Sequence, residues 1–129
     1  MAFRPALSRL DHDGIHLRVD EGARAVGVMI AFGDRRGGTS ASPYDTLNLA
    51  ARVGDDPGPV QENRRRVATA CGFDVDRLAL ARQVHGTDAL EVGPGDAGIV
   101  GEGDVLATRG PGAVLGILTA DCAPAIVWG

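Results

Sequence analysis

Nineteen glycines spread through 129 residues constrain this chain most, because they break helices and supply turns at short intervals. That spacing disfavours a helical bundle and points to a loop-rich fold of short strands. Aromatic residues are only 4% of the chain, so its core must be built from Val, Leu, Ile and Ala. The length suits one domain, and neither an internal repeat nor a linker divides residues 1–129. A formal net charge of −4 argues against non-specific nucleic-acid binding, which needs a basic footprint. No run approaches the roughly 20 apolar residues of a membrane span, and the N-terminus lacks an apolar signal segment. A cytoplasmic, reducing location is expected, with Cys71 and Cys122 as free thiols.

Residues 1–10 read as a loosely held arm. Ile15, Leu17 and Val19 alternate with His16 and Arg18, the pattern of a strand with one solvated face. His12 and His16 lie around that strand, too far apart along it to share one metal. Residues 25–32 read as a stronger strand with Val26, Val28, Ile30 and Phe32 on one face. The clearest helix opens at Asp56 as N-cap with Pro57 or Pro59 in its first turn, and closes at Gly72. Val60, Val67, Ala68, Ala70 and Cys71 form its apolar stripe, and Arg64, Arg65 and Arg66 a solvated face. Residues 78–81, 87–92 and 115–118 read as further strands, with a mobile loop at 93–98 and a stretch at 103–108 leading into the last strand. Strands outnumber helices, so the class is α+β, with mixed β-sheets flanked by helices.

Four places carry polar chemistry. The run 115–118 reads as a buried strand ending at Thr119-Ala120-Asp121-Cys122, where Pro124 stops the ladder for want of an N–H. A second strand end delivers Gln83 and His85. Either Cys122 and His85 meet at one metal or catalytic centre, or they are a buried structural cysteine and a surface histidine. The loop 33–40, with Gly37, Gly38, Arg35 and Ser40, either wraps an anion with backbone N–H groups and a guanidinium or is a plain turn. Asn48, between two leucines, either satisfies backbone groups or faces a pocket.

Seven segments in order carry a family resemblance: Phe32-Gly33-Asp34-Arg35-Arg36-Gly37-Gly38-Thr39-Ser40, Tyr44-Asp45-Thr46-Leu47-Asn48-Leu49, Val53-Gly54-Asp55-Asp56, Glu62-Asn63-Arg64, Gln83-Val84-His85-Gly86, Gly103-Asp104-Val105-Leu106-Ala107-Thr108 and Thr119-Ala120-Asp121-Cys122-Ala123-Pro124. The chain resembles the YfiH-like, laccase-domain proteins, once labelled multicopper polyphenol oxidases and later described as purine nucleoside phosphorylases. The resemblance implies a zinc site of two His and one Cys with an open position, the geometry of a catalytic site. His85 and Cys122 match two of those ligands. The third belongs to a His-x-Gly-Trp-Arg-Gly motif downstream, which does not occur in these residues. The expectation is therefore a YfiH-like fold shortened at its C-terminal end, with an exposed edge open to self-association.

What the family implies is phosphorolysis of a purine nucleoside to free base and ribose 1-phosphate, with an associated deamination of adenosine. By the same analogy Arg35 and Ser40 hold phosphate or ribose oxygens and Asn48 positions the nucleoside. Asp121 orients a ligand or moves a proton, or merely caps backbone, and Gln83 supports the metal ligands. Three rivals are a cysteine hydrolase with Cys122 as nucleophile and His85 as base, a copper-dependent phenol oxidase, and an inactive truncated domain that binds at most a partner chain.

Overall fold

The protein is described here by a computed structural model covering residues 4–129. The chain divides into two compact units, one running to Gly72 and including Ala125–Gly129, the other Phe73–Pro124. The first unit holds strands β1 (Leu7–His12), β2 (Ile15–Asp20) and β3 (Ala31–Gly33) and helices α1 (Glu21–Ala25) and α2 (Pro57–Cys71). The second holds β4 (Leu78–Arg82), β5 (Ala89–Glu91), β6 (Gly98–Glu102), β7 (Val105–Ala107) and β8 (Val114–Leu115). This mixture of small sheets with two helices is the α+β arrangement that the sequence predicts. Among the described residues no helix is long and apolar enough to cross a membrane.

In the first unit β1, β2 and β3 form an antiparallel sheet, with Leu7 opposite Asp20 and His12 opposite Ile15. The hairpin turn is Asp13-Gly14, both at positive φ (47° and 81°), the backbone that a two-residue turn demands and that Asp-Gly supplies. Part of the expected N-terminal arm is thus strand β1, while residues 1–3 lie outside the described ones. His12 and His16 sit on different strands rather than along one. The His16 ring lies 2.8 Å from Asp11 Oδ1, and His12 lies 3.4 Å from Asp13.

The alternation on β2 is real: Ile15, Leu17 and Val19 are buried and pack with Leu47, each contributing about 1.5–3 kcal/mol by burial. Helix α2 lays Val67, Ala70 and Cys71 against that cluster, with Val60 and Ala68 buried along it. Asp56 stands at its N-cap and Pro57 at its first position. Gly72 closes it in the left-handed conformation, its N–H donating to the Ala68 carbonyl at 2.8 Å.

The strand expected over residues 25–32 is instead the end of a helix, a bend and a three-residue strand. Asp20 caps α1, its carboxylate accepting from the Ala23 N–H at 3.1 Å, and Gly27 at φ +87° turns the chain out. A good N-cap overrides the period-2 pattern here, leaving Val26 and Val28 exposed while Ile30 is buried.

In the second unit β4 is central in a parallel sheet ordered β6-β4-β8, with Ala79, Leu80 and Ala81 buried. β5 and β7 form a parallel pair. β6, in a glycine-rich stretch, is a strand that the sequence pattern does not reveal, and β5 is shorter than the expected 87–92. The last strand covers only Val114–Leu115 on the sheet edge. Residues 116–118 are half-buried to exposed rather than a buried run, because an edge position offers one partner and not two.

Candidate active site

His85 stands three residues beyond β4, in a turn built around one carboxylate. Asp104 Oδ1 accepts from the His85 N–H at 3.0 Å, and Oδ2 accepts from Val84 at 3.1 Å and Gly86 at 2.8 Å. These amides, Gly86 foremost, hold the Asp104 carboxyl below the usual carboxylate range. His85 itself has φ +58°, a conformation that costs a residue with a Cβ roughly 1–2 kcal/mol. The residue is exposed. The preceding Gly103 is needed because a Cβ there would come within 2.9 Å of the Asp88 carbonyl oxygen, which accepts from the Asp104 and Val105 amides.

Gln83 ties this turn to the segment that carries Cys122. Its Nε2 donates to the Leu118 carbonyl at 2.9 Å, and its Oε1 accepts from the Leu118 N–H at 3.0 Å. β4 and β8 pair in parallel, Leu78 beside Val114 and Ala79 beside Leu115, and the Gly116 N–H continues the ladder to the Ala79 carbonyl at 2.9 Å. His85 and Cys122 therefore both lie beyond the C-terminal ends of neighbouring parallel strands, the end of such sheets where ligands bind. Asp121 and Cys122 are exposed, which replaces the reading of Cys122 as a buried structural residue. Cys71, on α2, is half-buried, and the burial pushes its pKa up.

Imidazole nitrogen and thiolate sulfur are good zinc donors, so the chemistry of this pair fits the metal. The count falls short of a full set: among the described residues no group of three or more His, Cys, Asp or Glu could hold a metal ion.

In the first unit, the loop from Arg35 to Asn48 is held by internal bonds. The Arg35 guanidinium donates to the Asp45 carbonyl at 3.0 and 2.7 Å, yet its side chain stays 73% exposed. The amides of Arg36, Gly38, Thr39 and Ser40 go to Asp34, Thr46 Oγ1, Asn63 and the Thr46 carbonyl. They are not free to wrap an anion, which corrects that part of the sequence reading. The two glycines serve packing: a Cβ at Gly37 would strike Gly14 and one at Gly38 the Thr46 carbonyl.

The hub of this loop is Asn63, fully buried on α2. Its Oδ1 accepts from the Thr39 N–H at 2.8 Å, and its Nδ2 donates to Ser40 Oγ at 2.9 Å and to the Asn48 carbonyl at 2.9 Å. Ser40, itself buried, donates to Asp55 at 2.6 Å, and Asn48 Nδ2 donates to the same carboxylate oxygen at 3.0 Å. Those bonds, the Ser40 hydroxyl first, keep the Asp55 carboxyl low. Ser40 and Asn48 thus satisfy Asp55 and backbone groups, whereas Arg35, 3.5 Å from the Asp45 carboxylate, and Arg36, paired with Asp34, are the exposed cations of the loop. The basic run is engaged too, Arg65 and Arg66 on Glu62 and Arg64 on the Leu49 carbonyl. Asp104, Asn63 and Asp55 escape a reading of side-chain types alone, since their partners lie 7 to 24 residues away.

The family described as multi-copper polyphenol oxidoreductase laccase matches residues 29–128. The chain belongs to that family. A purine nucleoside phosphorylase of Deinococcus radiodurans is 49% identical over 98 residues, 75% of this chain and 37% of that protein. A purine nucleoside phosphorylase of Streptomyces coelicolor is 43% identical over 102 residues, 78% of this chain and 42% of its own length. The crystal structure of YlmD from Geobacillus stearothermophilus superposes with a TM-score of 0.74 at 28% identity, over 87% of this chain and 43% of the other. That of a Bacillus licheniformis hypothetical protein, YfiH, gives 0.72 at 26% identity, over 81% and 41%. The YfiH-like fold expected from the sequence is thereby established. The chain spans about two-fifths of the length of the curated relatives it matches, 37% and 42% in the two cases above.

Proposed function

We propose that these residues carry part of a zinc-dependent purine nucleoside phosphorylase, with His85 and Cys122 as two of the metal donors and a third supplied from outside them. The observation that carries this is the delivery of an imidazole and a thiol from the ends of paired parallel strands, clamped by the two Gln83–Leu118 bonds. The relatives named purine nucleoside phosphorylases support the reaction class. Phosphate oxygen attacks C1′ of the nucleoside, the N-glycosidic bond breaks, and the base leaves with its electron pair and takes up a proton. Zinc, when bound, supplies Lewis acidity at an open position, which also suits replacement of the adenosine amino group by water.

Of the chain's own residues, Arg35 is the group for phosphate or ribose oxygens, because its side chain is largely exposed although the Asp45 carboxylate lies 3.5 Å away. Ser40 and Asn48 serve it by shaping its loop through Asp55, and their direct contact with nucleoside is the finer proposal. Asp121, exposed beside Cys122, is the group for proton transfer, and Gln83 fixes the two donor segments. Zinc is the metal proposed because an imidazole nitrogen and a thiolate sulfur are donors it takes, while His12 and His16 are held by Asp13 and Asp11. The test is phosphorolysis of inosine and adenosine by the protein carrying His85→Ala or Cys122→Ala. Loss of cleavage with an unchanged circular dichroism spectrum is expected, and retained cleavage in either variant contradicts the assignment.

A further inference from the structure

We propose that Asp104 is the positioning residue of this centre: its carboxylate gathers the Val84, His85 and Gly86 amides and so holds His85 in the left-handed conformation that presents its imidazole. The inference rests on the reading of His85 as a metal donor and adds to it the group that sets the donor's direction. Three consecutive amides converging on one carboxylate form a backbone nest, a geometry that binds anions. Here the anion belongs to the chain itself, 18 to 20 residues further on, so the nest is filled before any ligand arrives. Without it, nothing else described in the turn compensates the positive φ of His85, which an imidazole-bearing residue leaves readily for the broader β or α regions.

Asp104 is itself anchored. Its N–H and that of Val105 donate to the Asp88 carbonyl at 3.2 Å, and the Gly103 N–H donates to the Arg82 carbonyl at 3.0 Å, at the end of β4. The carboxylate is thus fixed relative to the strand from which His85 departs. It touches the backbone of His85 and not the imidazole, so it acts through another residue and is not a catalytic group.

The experiment measures two properties of the same protein, wild type against Asp104→Ala and Asp104→Asn. Amide hydrogen exchange at Val84, His85 and Gly86, read by NMR without metal, reports the turn. Cobalt(II) titration, read by the thiolate-to-cobalt absorption of Cys122, reports the donors. His85→Ala shows that the histidine takes part, and Val92→Ala, a buried change in the same unit, matches the loss of general stability. In Asp104→Ala, exchange at the three amides should rise at least tenfold and cobalt affinity should fall about 10- to 100-fold, as when groups supporting a metal ligand are removed. Asp104→Asn, which keeps one acceptor oxygen, should lie between, and Val92→Ala should leave both readouts near wild type. Unchanged exchange in Asp104→Ala refutes the hold on the turn. Faster exchange with unchanged cobalt affinity refutes the positioning role. A wild type that binds cobalt no better than His85→Ala refutes the metal reading of His85, and the positioning role with it.

Discussion

Replacing Asn63 with alanine removes the amide that knits the Thr39–Asn48 loop to α2. Asn63 is fully buried, and its carboxamide serves Thr39, Ser40, Thr46 and Asn48. Not all of these lose everything. The Thr46 carbonyl still accepts from the Ser40 N–H at 2.9 Å, and the Ser40 hydroxyl keeps Asp55 at 2.6 Å. The Thr39 N–H and the Asn48 carbonyl lose the partner that Asn63 supplied. A buried polar group left unmatched costs about 1–3 kcal/mol, and because Thr39 is exposed and Asn48 half-buried, water relieves part of this, so the two together predict a loss of about 1–3 kcal/mol. Against a typical total of about 5–15 kcal/mol, that is a measurable part of the stability. Urea denaturation followed by circular dichroism measures it. Pairing the change with Ser40→Ala in a double-mutant cycle should give a coupling of about 0.5–3 kcal/mol, since the two side chains are in direct contact. A loss below about 1 kcal/mol for Asn63→Ala would refute the claim that this amide organises the loop.

Glu62 is held down to a pKa of about 2, chiefly by the Arg65 side chain and then Arg66. Its folded pKa lies below the ordinary 4.5, so its contribution is complete above pH 4.5 and is lost as pH falls toward 2. Thermal midpoints should drop more steeply over that window in wild type than in Glu62→Gln, and parallel slopes would contradict the ion pairs. His85→Gly relieves the positive φ but adds freedom to the unfolded chain, so its stability should stay within about 1 kcal/mol of wild type while zinc affinity falls. A loss above about 2 kcal/mol in that variant would mean the imidazole serves packing. A thiol reagent should label Cys122 rapidly in the native protein and the half-buried Cys71 more slowly, since one is exposed and burial raises the pKa of the other. Equal labelling rates would contradict the contrast.

The features legible in the sequence are those whose cause is local. α2 announces itself because Asp56, Pro57 and Gly72 lie at its own ends, and β2 because its alternation belongs to one strand. The strand expected over 25–32 failed because Asp20, five residues upstream, begins a helix that Gly27 ends. The Asp13-Gly14 turn, a strong hairpin signal, places His12 and His16 on separate strands, which spacing along one strand does not foresee. Gly37 and Gly38 read as an anion loop because their true partners, Gly14 and Thr46, are distant in sequence. The pairing of the His85 and Cys122 segments was legible as a resemblance. The groups that hold them, Gln83 on the Leu118 backbone and Asp104 on three amides, appear only once the chain is folded.

The most direct test of the central claim is X-ray absorption at the zinc edge on the zinc-loaded protein, with Cys122→Ala beside it. With His85 and Cys122 as donors, one sulfur shell at about 2.3 Å and nitrogen at about 2.0–2.1 Å are expected, with the sulfur shell gone in the variant. A shell of oxygen and nitrogen alone in the wild type, or sulfur that persists without Cys122, would contradict it.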